Sequence, residues 1–210
     1  MENLAELIGV IIGDGNICFL PHTGSYYVEI TGNPKTENNY YKYLSKLFVK
    51  VVGKSGTISL RGRGLRIRVY SKEFVEFLIK DLGMHYGEGK FFKVVIPQKI
   101  FDEGEKMVAK CIRGIFDTDG TFFISKKEGK LYPSIEIVTS SRILAIQIYD
   151  ILLKNFRVNM RWRNSENYTK GRVYVIGLYG VNETKKWFRI IGSSNPSKFE
   201  KYANFIKNLK

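Results

Sequence analysis

Leu7-Ile8-Gly9-Val10-Ile11-Ile12-Gly13-Asp14-Gly15 has a second version later in the chain, Ile112-Arg113-Gly114-Ile115-Phe116-Asp117-Thr118-Asp119-Gly120. Each is an apolar run with small residues four apart, Gly9 and Gly13 in one and Gly114 and Thr118 in the other, closed by an Asp-Gly pair. The two acids stand 105 positions apart, half of the 210-residue chain. One Asp-Gly alone would read as a hairpin turn. Two copies with the same small-residue spacing read differently. Glycine inside a helix costs about 1 kcal/mol relative to alanine, so it needs a compensating reason. Close packing of two helices is such a reason, with Gly9/Gly13 facing Gly114/Thr118 and Asp14 and Asp119 meeting where the helices end.

Outward from the first stretch, Leu4 to Gly13 reads as a buried helix. Asn16 to Leu20 and Ser25 to Thr31 alternate as strands, and Thr36 to Val52 carries apolar residues at helical spacing up to Gly53. Thr57 to Arg61 and Leu65 to Tyr70 form a hairpin around Gly62-Arg63-Gly64, and Lys72 to Leu82 is a helix. The second half repeats this order: strands Thr121 to Lys126 and Ser134 to Thr139, helix Ser141 to Phe156, strands Asn159 to Arg163 and Arg172 to Tyr179, helix Val181 to Ile191. The expected fold is α+β, two pseudo-symmetric αββαββα domains, each with a four-stranded antiparallel sheet, packed through the two Asp-Gly helices. The expected boundaries are residues 1–90 for the first half, 91–102 for a connector and 103–210 for the second half.

Bulk composition narrows the function. A hydrophobic content of 44% excludes a disordered chain, and 34 Lys+Arg against 20 Asp+Glu give a net charge of +14. The basic residues are spread over both halves, so the charge belongs to a folded surface that attracts polyanions, nucleic acid above all. Cys18 and Cys111 stand alone and His22 and His85 are the only histidines, too few for a zinc site. The longest apolar run is too short to span a bilayer and no secretory signal opens the sequence. An intracellular protein with no membrane partner is expected.

Carboxylates at helix C-termini oppose the macrodipole and repel each other when paired. A divalent cation offsets both penalties, and oxygen ligands with retained water suit Mg²⁺ or Mn²⁺. Paired acids with hard cations are apparatus for phosphodiester hydrolysis.

With these residues the chain resembles the LAGLIDADG homing endonucleases in their single-chain form with two motif copies. The resemblance runs over the whole length. Ile8 and Arg113 depart from the small second residue of the motif, and Ile12 from its often acidic sixth. It implies a site-specific, metal-dependent endodeoxyribonuclease that cuts both strands. Asp14 and Asp119 would bind the metals, with the backbone carbonyls of Gly13 and Thr118 as further ligands. A basic residue after each half's last helix organises the attacking water in that family. Matching the halves picks Lys90 and Lys198 for this role, with Lys93 as the other choice in the first half.

On each sheet the polar face is the one expected to read DNA in the major groove. The first half offers Asn16, Tyr27, Glu29, Arg61, Arg66, Arg68 and Tyr70, and the second Lys126, Lys127, Ser134, Glu136, Arg161, Arg163, Arg172 and Tyr174. Glu29 and Glu136 either accept from cytosine or pair with a neighbouring arginine. The halves differ at these positions, so a long asymmetric duplex cut by a monomer is expected. An intron-encoded or free-standing protein is expected rather than an intein. The alternatives on the same fold are an RNA maturase, whose partner is intron RNA, and a DNA-binding regulator.

Overall fold

The computed structural model describes residues 1–87, 89–164 and 171–209, with Lys127 given by its backbone alone. The first half runs α1 (Glu2–Gly13), β1 (Gly15–Leu20), β2 (Ser25–Gly32), α2 (Asn38–Val52), β3 (Thr57–Arg61), β4 (Gly64–Tyr70) and α3 (Lys72–Glu76), which continues as a π-helical turn, Phe77–Asp81. Two short helices follow, α4 (Lys90–Lys93) and α5 (Gln98–Asp102). The second half runs α6 (Glu105–Asp119), β5 (Gly120–Lys127), β6 (Lys130–Thr139), α7 (Arg142–Leu153), β7 (Val158–Asn164), β8 (Arg172–Tyr179), α8 (Val181–Ile190) and α9 (Pro196–Lys207). No helix among the described residues is long and apolar enough to cross a membrane.

Both sheets are four-stranded and antiparallel, in the orders β1-β2-β4-β3 and β5-β6-β8-β7. Alternation along each strand buries one face: Ile17, Val28, Ile30, Ile67 and Val69 in the first sheet, Phe122, Ile135, Ile137, Ile176 and Leu178 in the second. The helices cover those faces. α2 contributes Tyr40, Tyr41, Leu44, Leu47 and Phe48, and it stops where Gly53 takes a left-handed φ of 73°. α7 starts at Ser141, whose hydroxyl accepts from the Leu144 N–H.

α1 and α6 lie between the two layers of helix and sheet and are buried on nearly every side, with Ala5 through Ile12 all inaccessible to solvent. Their contact is backbone to backbone. A Cβ on Gly9 would strike the Cys111 carbonyl and stand 3.0 Å from the Ile115 nitrogen, and one on Gly114 would strike the Glu6 carbonyl and stand 2.7 Å from the Val10 nitrogen. Ion pairs from Glu2 to Lys106 and Lys110 tie the helix starts together.

The sequence reading missed α4, α5 and α9. The last was legible: Asn195 caps it by accepting from the Ser197 N–H, Pro196 occupies the first turn, and Phe199, Tyr202 and Phe205 follow at helical spacing. β6 also extends four residues before Ser134, through Pro133. A proline fits because at that position β6 pairs only with β5, β8 ending opposite Ser134.

Candidate active site and nucleic-acid interface

The site lies where α1 and α6 end. Asp14 follows α1 with φ −86° and ψ 4°, and its carbonyl accepts from the Thr31 N–H, so the chain turns straight into the first sheet. Asp119 is the last residue of α6. A Cβ on Gly13 would strike the Thr118 hydroxyl and lie 3.3 Å from Asp119 Oδ2, so the missing side chain is what lets the second carboxylate lie over the end of α1. Thr118 itself donates back to the Gly114 and Ile115 carbonyls, each at 3.0 Å.

Burial dominates the protonation of both acids. Desolvation, then the nearby Glu37, pushes Asp14 up to about 6, and desolvation, then Asp14 itself, pushes Asp119 up to about 7. Among the described residues neither carboxylate receives a hydrogen bond that would offset this. Two half-buried neighbouring carboxylates that take no hydrogen bond from the described residues suit a divalent cation, which would replace the missing donors. Among the described residues no three His, Cys, Asp or Glu side chains converge as a metal-ligating group. A cation there would therefore draw its remaining ligands from backbone carbonyls such as those of Gly13 and Thr118, from water and from a bound phosphate.

Two lysines flank the acids. Lys90, the first residue of α4, donates to the Ile11 carbonyl at 3.1 Å, and Lys198, in α9, donates to the Phe116 and Asp117 carbonyls at 2.5 and 2.9 Å. Desolvation lowers both, Lys90 to about 8, against the attraction of the carboxylates. Lys93, one turn later, is exposed. Lys198 is held by a buried latch. The Asp117 carboxylate accepts from the Ser193 hydroxyl and from the Ser194 N–H at 2.8 Å, and Asn195 donates to the Asp117 carbonyl at 3.3 Å while capping α9. Arg113 is likewise structural. It pairs with the buried Glu6 at 3.8 Å and donates to the Ile191 carbonyl at 2.6 Å, while Tyr43 donates to Glu6 at 2.6 Å.

Two groups beside Asp14 were not singled out in the sequence. Glu37 accepts from the Asn33 N–H at 2.6 Å, and its carboxylate and the Tyr41 hydroxyl both stand over Gly32. Tyr41 is 2% exposed, and among the described residues its hydroxyl has no hydrogen-bond partner. On the other side a cavity of 190 Å³ is lined by Gly13, Lys90, Asp119, Thr139 and Ser140.

Cross-strand register decides which strand residues share a face, since directly opposed residues of an antiparallel pair point the same way. In the first sheet Asn16, Tyr27, Glu29, Arg66, Arg68, Tyr70 and Arg61 lie together on the face away from the helices. Glu29 is their hub. It accepts from Arg68 at 2.5 and 2.8 Å and from Arg66 at 3.4 Å, with Arg61 at 3.8 Å, and the Arg68 guanidinium lies 4.1 Å over the Tyr27 ring. In the second sheet Ser134, Glu136, Arg161 and Arg163 share the corresponding face, and Glu136 accepts from Arg161 at 2.9 Å and Tyr179 at 2.8 Å.

The expected face is wrong for three residues. Tyr174 stands opposite Trp162, and Arg172 opposite Asn164, so both point to the helix side, where the Arg172 guanidinium covers the Trp162 ring at 4.2 Å. The period of two holds within each strand, but the register of β7 against β8 is out of step with it, so Val173 and Val175 oppose Arg163 and Arg161. Lys126 has the parity of Phe122 and Ile124, again the helix side, at the exposed end of β5. The Lys127 side chain lies outside the described residues.

Known proteins share parts of this arrangement. Residues 106–202 match the LAGLIDADG-like domain. Two curated relatives come from Methanocaldococcus jannaschii: a probable translation initiation factor IF-2, 27% identical over 136 residues that cover 63% of this chain and 11% of that protein, and the uncharacterized protein MJ0314, 24% identical over 152 residues that cover 68% of this chain and 50% of that protein. The chain thus spans about half or less of the curated relatives it matches. Among solved structures, I-DmoI in complex with DNA and Ca aligns with a TM-score of 0.62 at 18% identity, covering 97% of each chain. The LAGLIDADG meganuclease I-AabMI bound to uncleaved DNA aligns at 0.56 with 14% identity, covering 97% of this chain and 91% of that one. A match to the LAGLIDADG-like domain over residues 106–202, and a fold shared over nearly the whole chain with I-DmoI and I-AabMI, are what these likenesses establish.

Proposed function

We propose that the chain is a site-specific double-strand DNA endonuclease of the homing type, with residues 1–90 as a first LAGLIDADG copy, 103–210 as a second and 91–102 as the connector between them. The observation that carries this reading is the pair of half-buried, desolvated carboxylates, Asp14 and Asp119, set side by side between two basic sheets with a lysine against each helix end. The matching fold of I-DmoI, solved with DNA and Ca, supports it.

The duplex lies along the two arginine-bearing faces, which orient it so that its scissile phosphates reach the helix ends. Asp14 and Asp119, with the carbonyls of Gly13 and Thr118, hold Mg²⁺ or Mn²⁺. Such a cation, once bound, lowers the pKa of water and stabilises the leaving oxygen. Lys90 and Lys198, kept from swinging by their bonds to backbone carbonyls, orient water and contact phosphate oxygens. Differences between the sheets make the target long and asymmetric, read by a monomer inside the cell. Retention of both acids favours cutting over a maturase or regulator, either of which would need only the sheets.

Incubation with a randomised duplex library and Mg²⁺, followed by sequencing of cut molecules, tests the reading. One asymmetric site, and loss of cutting in Asp14→Asn and Asp119→Asn, are expected. Cleavage that survives either substitution overturns the assignment of the acids.

A further inference from the structure

Arg172 and Tyr174, turned away from the duplex-reading face, open onto a cavity of 290 Å³ at the β7 edge of the second sheet. Arg142 and Ile146 of α7 form one wall, and Met160, Trp162, Arg172 and Tyr174 of the β7–β8 ladder form the other. Arg161 borders it, but its guanidinium is engaged by Glu136 on the opposite face. Among the described residues no carboxylate lines this cavity.

The fold does not require such a lining. Gly15, Ile30, Ile67 and Ile58 stand in register across the first sheet as Gly120, Ile137, Ile176 and Met160 do across the second. Two residues further along β3 and β7, Leu60 opposes Leu65 where Trp162 opposes Tyr174, so leucines fill these places in the first half. In the second half the indole of Trp162, 54% exposed, lies under the Arg172 guanidinium. Arg142 is the first residue of α7, whose first turn carries no acid, so its charge opposes the macrodipole. An exposed indole and a cation at a positive helix end both cost local free energy, and a ligand with an aromatic face and a negative charge relieves both.

We propose that this hollow is a second nucleic-acid site, on the back of the second sheet, that takes an unpaired nucleotide of a single strand. The base stacks on the Trp162–Arg172 pair, and Arg142 pairs with the adjoining phosphate. A paired base keeps its faces inside the duplex stack and cannot reach Trp162, whereas an unpaired one can. Because the hollow lies on the helix side, a duplex on the arginine faces and a single strand here are held together. The site owes nothing to Asp14 and Asp119, and it stands whether or not the chain cuts DNA.

Trp162 and Trp187 are the only tryptophans, and Trp187 is fully buried, so quenching of tryptophan fluorescence by a stacked base reports on Trp162. The probes are fluorescein-labelled oligouridylate and oligothymidylate, titrated into the whole chain already saturated with unlabelled duplex of random sequence. Probe binding with quenching is expected while the duplex stays bound. Trp162→Ala weakens probe binding, read by anisotropy, by about 10-fold, Trp162→Phe retains it, and affinity for the duplex is unchanged in both. Arg142→Gln, which removes a cation from a helix start and so leaves the fold intact, makes the slope of log probe affinity against log salt shallower by about 0.7. Tighter oligouridylate binding marks RNA as the source of the strand, and equal or tighter oligothymidylate binding marks unpaired DNA; both support the site. Displacement of the probe by the duplex, absence of quenching, or probe affinity unchanged in Trp162→Ala and Arg142→Gln overturns it.

Discussion

Asp14 and Asp119 are held closer to neutrality than free carboxylates because burial outweighs the two lysines. A raised carboxylate pKa means that the folded state binds the proton more tightly than the unfolded one. Stability of the metal-free protein should then fall as pH rises from about 4 to about 7, by on the order of 3 kcal/mol per acid, shared because the pair is coupled. Lys90, lowered to about 8, acts oppositely: its penalty is present below that pH and is relieved as pH rises further. Thermal unfolding in chelator checks the curve, and Asp119→Asn should raise the melting temperature near neutral pH while abolishing cleavage. A melting temperature that climbs from acid to neutral pH would contradict the burial of these groups. A second residue, Asp117, is fixed by its contacts with Ser193 and Ser194. Asp117→Ala should cost about 3 kcal/mol, the scale of emptying a buried hydrogen-bonded site, and slow mainly the strand served by Lys198. Denaturant unfolding and strand-resolved cleavage read the two effects. The motif acids were legible because one local pattern, an apolar helix ending in Asp-Gly, fixes their place. Glu37 and Tyr41 were not, since a loop and the far side of a helix bring them in, and no local spacing encodes that.

The pairing of α1 with α6 depends on side chains that are missing. Gly9→Ala or Gly114→Ala would drive a methyl group into the facing backbone, and overpacking of this kind costs about 2 kcal/mol. Each should lower the melting temperature by roughly 5 °C in a protein of this size. Because both act on one contact, the double variant should lose less than the two single losses combined, which a double-mutant cycle measures. Additive losses would mean that the helices yield independently. This contact was readable from glycine spacing alone. The faces of the second sheet were only half readable. Alternation placed Arg161 and Arg163 correctly, but a strand's parity relative to its neighbour is set by the connection between them. That is why Arg172 and Tyr174 fell on the helix side.

Across the whole molecule, a net charge of +14 meets a duplex through two faces on which the arginines are already engaged. Glu29 alone is approached by Arg61, Arg66 and Arg68, and Glu136 holds Arg161. These carboxylates stiffen the arginines and also lower the positive potential presented to any phosphate backbone, so they should oppose non-specific binding more than specific binding. For wild type, log affinity for random duplex should fall linearly with log salt, with a slope of about −0.9 for each phosphate neutralised. Arg163→Ala, which removes an exposed cation on the same face, should make that slope shallower by about 1. Glu29→Gln should do the reverse: released guanidiniums engage phosphates, the slope steepens by about 1, and random-duplex affinity rises while preference for the selected site shrinks. Fluorescence anisotropy over a KCl series, with random and selected duplexes side by side, measures both. Equal loss of affinity for the two duplexes in Glu29→Gln would instead mean that the carboxylate is needed to keep the sheet face in shape, and that the sheet does not restrain its own charge.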